Sequence, residues 1–582
     1  MLPNILIKKI LGELLKSFGG NYILIGYMID EFGLVCKEWY QKILASLSYP
    51  NFTLDTMNDF LLCNHLISQK KIPLTGLKMK FNMSQYSSLN FDDSVFKNRF
   101  CSIDFVSDQP SLPLDFVAIS NHLSYLTTVN SIGFQLCNLL DYTSLCQLIK
   151  SSLRDFQNLR EIKIFYYMDL DISQLCDVIA RAPAIESMYF ESSSIDGNGK
   201  SRIISLNPLN KITTLTQLTL RRVIIKPNTM VTYLDNNKSL KDLNIILADL
   251  TSDEVEETPI DPLIESIEKH QSLKRILVSF NRALCFKSTI TKLMGSNRLL
   301  ERVVLDFTIC KNPNQDPALL QLTFSNTCIR KIEITNLFME SIIANHWNSP
   351  STLEKISLIF VDPEITKSIL LYHKSLKTLK AGFNFNSFDS AVIPLLKSQS
   401  LTSLSLHTTS IVSNAMSAVN PQIYNDPNIW NQFINALKSN CSLRSLSLKI
   451  RTVPNETLKK LFQLQHPTLK HLSIWTSHPI GIDQLTLDSL CKNSTIQSLS
   501  LNGSLNKPTE EHLSIITKIL NDNRTLQSLS FYDLPLNSIH NQSLIDQFSI
   551  SLKNNSSLKI FNINTKNSDI QQALKQSFIS IN

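Results

Sequence analysis

Residues 440–450 read NCSLRSLSLKI, with leucine at Leu443, Leu446 and Leu448. In an extended strand successive side chains point to opposite faces, so Leu446 and Leu448 share one face and Ser447 takes the other. The spacing Leu-x-x-Leu-x-Leu thus predicts a short strand with one apolar side. Allowing Ile, Val, Met, Phe or a small residue at these slots, the pattern begins fifteen times. Its first position falls at Leu159, Ile185, Leu215, Leu240, Leu273, Leu300, Ile329, Leu353, Leu376, Leu401, Leu443, Leu469, Ile496, Leu526 and Leu558. From Leu159 to Leu558 is 399 residues in fourteen steps, a mean of about 28, with most steps between 23 and 33.

A period of that size marks stacked units, each contributing one strand and a returning helix or turn. The segments ahead of the strands, such as QFINALKSNCSL, LSIITKILNDNRTL and DPLIESIEKHQSL, carry apolar residues at helical three-to-four spacing. Each breaks at Asn, Ser or His, residues suited to helix ends and turns. Helix, polar break and strand make the unit of a leucine-rich repeat, and residues 151–567 resemble that family. The resemblance implies an α/β solenoid, a horseshoe with parallel strands on its concave face. Irregular earlier repeats are expected within 47–150, where PLTGLKM and FCSIDF follow the same alternation.

The family's Asn or Cys three residues after the strand is mostly replaced; Arg451, Thr409 and Leu534 stand there. That substitution implies looser turns. Asn-x-Ser/Thr triplets such as Asn440-Cys441-Ser442 are numerous, as chance produces in a chain rich in Asn and Ser. The step from Leu401 to Leu443 spans 42 residues, so a loop inserted near 407–428 is expected. The last repeat needs a cover for its apolar end, and residues 568–582 contain a helix-like SDIQQALKQSFIS that fits.

At the amino terminus, LPNILIKKIL and, further on, LVCKEWY resemble the two halves of an F-box, over residues 1–46. Leu2, Pro3, Ile7, Ile10 and Leu11 match the first half, and Val35, Cys36, Lys37 and Trp39 the second. Pro3 suits a helix start, where its missing N–H has no partner to lose. The intervening KSFGGNYILIGYMIDEF is longer than the family's, and Ile5 replaces its usual acidic residue. The resemblance implies a helical module that docks on the Skp-type adaptor of a cullin-based ubiquitin ligase, with the repeats holding the protein to be modified. Adaptor contacts then fall on Leu2, Pro3, Ile7, Ile10, Leu11, Val35 and Trp39. The plainer, second reading of the same helices is a cap on the first repeat, which leaves a scaffold with no ubiquitin role as the alternative.

Among 582 residues, 43% are hydrophobic and 18% charged, so a large core is available. A net charge of +7 is dilute at this length and does not predict nucleic-acid or membrane binding. Eleven cysteines are scattered without Cys-x-x-Cys pairing, the longest early apolar run is too short for a bilayer, and no signal peptide opens the chain. These features lead us to expect a cytoplasmic or nuclear protein. No phosphate loop, nucleophile elbow or zinc motif occurs, so neither catalysis nor a metal or cofactor is expected.

Ligand contacts are expected on the outward strand positions. In the later repeats these are Ser405, Ser447, Ser473, Ser500 and Ser530, flanked by His407, Lys449, Trp475 and Tyr532. In the earlier ones Arg221, Arg275, Arg302 and Lys331 form a basic set, with Phe165, Tyr189 and Lys355 beside it. Aromatic and Arg side chains are the types that dominate interface energetics.

Overall fold

A computed structural model describes residues 53–54, 57–68, 74, 76–82, 99–106, 128–136, 139–152, 158–166, 172–180, 185–192, 202–204, 206–248, 258–310, 326–334, 351–408, 426–478, 480–503, 509–531, 539, 541–563 and 567–576, with Leu11 and Leu47 besides. The chain divides into two compact units, Met1–Lys311 and Asn312–Asn582.

In the first unit the strands are β1 Thr53–Leu54, β2 Leu77–Asn82, β3 Phe100–Val106, β4 Ser131–Leu136, β5 Glu161–Tyr166, β6 Ser187–Ser192, β7 Arg202–Ile204, β8 Gln217–Arg221, β9 Val223–Ile225, β10 Asp242–Ala248, β11 Thr258–Pro259, β12 Arg275–Phe286 and β13 Arg302–Cys310. Pairing runs in parallel from β1 through β6 to β8, β10, β12 and β13. Strands β7 and β9 pair separately.

The second unit holds β14 Lys331–Ile334, β15 Lys355–Val361, β16 Thr378–Phe383, β17 Ser403–Thr408, β18 Ser445–Ile450, β19 His471–Thr476, β20 Ser498–Asn502, β21 Ser528–Phe531 and β22 Ile560–Ile563. Each pairs with the next, always in parallel. Register aligns the apolar ribs: Leu406, Leu448, Ile474, Leu501, Phe531 and Ile563 lie side by side. All fifteen first-position residues are buried, none more than 7% exposed.

Helices return the chain between strands and pack on one another in sequence from Ile393–Leu396 through Pro427–Lys438, Asn455–Gln463, Gln484–Cys491, Thr509–Asp522 and Gln542–Asn554 to Ser568–Gln576. Their starts follow local chemistry. The Asp362, Asp426 and Asp483 carboxylates accept from backbone N–H groups of the first turn, at 2.7, 2.8 and 2.7 Å. Pro363 and Pro427 occupy the first helical position, where no N–H is needed. Helix Ile393–Leu396 continues a π-helical segment, Phe388–Val392, and aromatic side chains occupy the space beside it. Phe383, Phe385, Phe388, Trp430 and Phe433 fill that space, with ring centroids 5.2–6.1 Å apart.

Adjacent repeats are tied together ahead of the strand rather than after it. In ten of the fifteen units a buried Asn or His stands three residues before the first position of the template. Asn440 Oδ1 accepts the N–H groups of Ser442 and Leu443 at 2.8 and 2.7 Å. Its Nδ2 donates to the carbonyls of Leu396 and Ser398 in the preceding repeat, at 2.7 and 2.8 Å. Asn493, Asn523 and Asn555 repeat this arrangement, and Asn297 does so in the first unit. At His466 the ring substitutes: Nδ1 accepts from Leu469 N–H at 3.0 Å, and Nε2 lies 3.0 Å from the Leu437 carbonyl.

The Ser or Thr two places after the Asn or His adds a second tie. Ser239, Ser272, Ser442 and Thr468 donate their hydroxyls to a carbonyl of the preceding repeat, each at 2.8 or 2.9 Å. The Asn-x-Ser/Thr triplets at Asn237 and Asn440 carry this second tie, while the hydroxyls of Thr495 and Ser557 turn back to the Oδ1 of Asn493 and Asn555.

The 42-residue step adds no strand between its neighbours, because β17 pairs directly with β18 in the register Ser403↔Ser445 to His407↔Lys449. The inserted stretch, 409–425, lies outside the described residues. Helix Ser568–Gln576 buries Ile570, Ala573 and Leu574 and packs on Gln542–Asn554.

Candidate binding face

Alternation places every second strand residue opposite the apolar ribs, and register lines these residues up across the sheet. In the second unit one outward row reads Lys380, Ser405, Ser447, Ser473, Ser500, Ser530 and Asn562. The next row reads Gly382, His407, Lys449, Trp475 and Asn502. The serines from Ser405 to Ser500 are half-buried. Ser530 departs from the expectation of an open hydroxyl floor: it is 5% exposed and accepts from Asn562 Nδ2 at 3.1 Å. Asn562 is large enough to reach over it, which a serine at that place is not.

Trp475 is 38% exposed, and the Lys449 ammonium lies 3.1 Å from its ring centroid. Burial, and then the positive charges of Lys380 and Lys449, push the His407 pKa down from its ordinary value. Lys449 is pushed down as well, by burial and then by Lys380. Lys380, whose charge acts on both, stands in the serine row and is exposed. It was identifiable in the sequence: SLKTLKA follows the repeat template, and Lys380 holds the slot that serine holds in the next five units.

In the first unit the outward cations are matched by carboxylates. Lys163 lies 3.4 Å from Asp104 and 3.8 Å from Glu161. The first of these pairs reaches across β4 at Gly133, where a Cβ would collide with the Asp104 carboxylate. Arg221 lies 3.5 Å from Glu191, which also accepts from the Tyr189 hydroxyl, and Arg275 pairs with Asp242. Arg302 stands beside Arg275 in register, and Lys331 in the second unit lies 3.8 Å from Glu333. The basic set expected from Arg221, Arg275, Arg302 and Lys331 is thus largely a set of ion pairs, because Asp and Glu occupy neighbouring strand positions. Tyr532 lies outside the described residues, as do Leu2, Pro3, Ile7, Ile10, Val35 and Trp39; Leu11 is buried, 2% exposed.

Among the described residues no three His, Cys, Asp or Glu side chains gather as a metal site, and no helix is long and apolar enough to cross a membrane. Stacked parallel strands, aligned leucine ribs and a helical backing define each unit as a leucine-rich-repeat array. No family model and no curated protein matches the sequence. Solved structures similar to it include the following two. One is the TLR13–ssRNA13 complex, at 13% identity over 91% of this chain and 76% of that chain, with a TM-score of 0.33. The other is an internalin, InlF, from Listeria monocytogenes, at 14% identity over 66% of this chain and 88% of that chain, with a TM-score of 0.29.

Proposed function

We propose that this chain is a non-catalytic interaction protein that seats a partner protein on the outward face of its strands, most of all on β16–β20. The observation that carries the reading is Trp475, an exposed aromatic set among half-buried hydroxyls. Burying such a side chain against a partner supplies the desolvated anchor typical of protein interfaces. Affinity purification of the full chain and of a Trp475→Ser, Lys449→Glu double variant tests this. Partners retained by the parent and lost by the variant are expected; identical partner sets would sink the reading.

The finer form of the proposal makes the chain a substrate receptor in the cytoplasm or nucleus. The LPNILIKKIL and LVCKEW segments support it, with Leu2, Pro3, Ile7, Ile10, Val35 and Trp39 as the contacts to a Skp-type adaptor and its cullin. The chain would then contribute proximity to ubiquitin transfer and no reacting group. Leu2→Glu and Ile10→Glu in the full chain should abolish co-purification of adaptor and cullin while leaving partners of the repeat face in place. If the unaltered chain captures no adaptor, the plain scaffold stands and the ubiquitin role falls.

A further inference from the structure

The strands β16 to β22 contain no Asp or Glu, whereas β3, β5, β6, β10, β13 and β14 each carry one. Carboxylates are thus interleaved with cations through the first unit and at the start of the second, and then cease. After Lys355 on β15, the outward cations are Lys380 on β16 and Lys449 on β18, which flank His407 on β17; Lys449 is its direct neighbour in register, on a strand about 5 Å away, and Lys380 lies diagonal to it. The inserted stretch after β17, residues 409–425, contains no acidic residue either. Glu333, in the row of Lys380 with Ser357 between, lies 3.8 Å from Lys331, and the Lys449 pKa is lowered by burial first and then by the positive charge of Lys380.

We propose that Lys380, His407 and Lys449 form an anion-recognition point for an acidic side chain on an extended segment of the partner protein, with Trp475 as the adjoining apolar anchor. The inference rests on the reading of this face as a protein-binding surface and names the partner's chemistry. Ser405 and Ser447 supply hydroxyl donors on the floor beside the cations, and Ser473 continues that row beside Trp475. Lys449 keeps its place by lying on the Trp475 ring, so its ammonium is positioned before a ligand arrives. The charge is also confined. From β19 to β22 the outward rows add only His471, with Trp475, Ser and Asn side chains about it and Ile560 at the end. A nucleic acid needs a run of cations along its path, one for each phosphate neutralised; two lysines and a histidine match one anionic side chain instead. Carboxylate and phosphate share that chemistry, and the test separates them.

A display library of random short peptides, panned on the full chain, provides the probe. Acidic peptides with an adjoining apolar residue should be enriched, and the enrichment should vanish on the Lys380→Ser, Lys449→Ser variant while Lys449→Arg retains it. Unchanged circular dichroism and melting of the variants establish that the fold is intact. A synthetic copy of the strongest peptide should lose about five- to tenfold in affinity when its acidic residue becomes Gln, the size expected of one or two partly exposed charge pairs. Replacing that residue with phosphoserine distinguishes the sources: stronger binding assigns phosphate, weaker binding assigns carboxylate. Enrichment that is not acidic, or that survives loss of both lysines, overturns this inference and leaves the protein-binding reading standing. No enrichment by the parent chain overturns both. Tighter, steeply salt-dependent capture of a single-stranded oligonucleotide overturns it in favour of nucleic acid.

Discussion

The Lys449 ammonium lies 3.1 Å from the centre of the Trp475 ring, two side chains from adjacent strands brought face to face by the register Lys449↔Trp475. The pair is worth about 0.5–1 kcal/mol at a half-exposed place. Trp475→Ala should therefore lower the unfolding free energy by no more than about 1 kcal/mol, read from denaturant titration. Partner or peptide affinity should fall far more, because the anchor and the placement of Lys449 are lost together. Equal loss of stability and binding would make Trp475 structural.

His407 is held below the ordinary histidine range by burial and by Lys380 on β16 and Lys449 on β18. A bound anion favours its protonated form. Affinity for an acidic peptide should thus rise as pH falls from 7.5 towards 6, by no more than about tenfold per unit, the limit for uptake of one proton. His407→Asn should flatten that dependence. Titration calorimetry at several pH values decides it.

Asn440 satisfies two N–H groups of its own turn and, across the 42-residue step, two carbonyls of the repeat before it. Removing it leaves several buried polar groups without a partner. Asn440→Ala should cost about 3 kcal/mol in chemical denaturation. Asn440→Asp should be nearly as damaging, since an acceptor-only side chain cannot donate to the Leu396 and Ser398 carbonyls. Little change in either variant would show that the ladder is dispensable.

The buried histidines make the array acid-sensitive. His373 is pushed down to about 4 by burial, and His270 and His466 are lowered by burial first. Protonating the His466 ring would point a donor at the N–H groups its Nδ1 accepts. The unfolded chain binds protons near pH 6.5 and the folded one does not, so this stability is whole above pH 6.5 and drains away as pH falls to about 4. His373 alone accounts for up to roughly 3 kcal/mol across that window. Melting scans at stepped pH should show the fall, and His466→Asn, the residue of the equivalent place at Asn493, should reduce its slope while keeping the ladder.

Trp430 is 3% exposed and meets Phe385, Phe388 and Phe433 at ring distances of 5.6–6.1 Å. Trp430→Ala should cost about 4 kcal/mol, measured by the denaturation midpoint, because deleting the indole leaves a void among three phenylalanine rings.

The repeating strand was legible because period-two alternation decides which side chains can share a face, and that is a local property. Leu443, Leu446 and Leu448 needed no partner to declare their side. Trp475 was legible as an outward residue by the same rule. Lys380 obeyed it too, yet its role emerges only beside His407 and Lys449, which the template places in other units. The pairing of Lys163 with Asp104 across Gly133, and of Arg275 with Asp242, joins residues far apart in the chain. No single segment reveals which of two outward charges stands next to which.

By itself the sequence determined the period, the apolar ribs and the outward positions, since these follow from backbone geometry acting within a few residues. Only stacking decided which cations are neutralised and which stand alone, and which asparagines bridge one repeat to the next. Charge pairing and hydrogen bonding act over a few ångströms of space, and the register of neighbouring strands sets which side chains come that close.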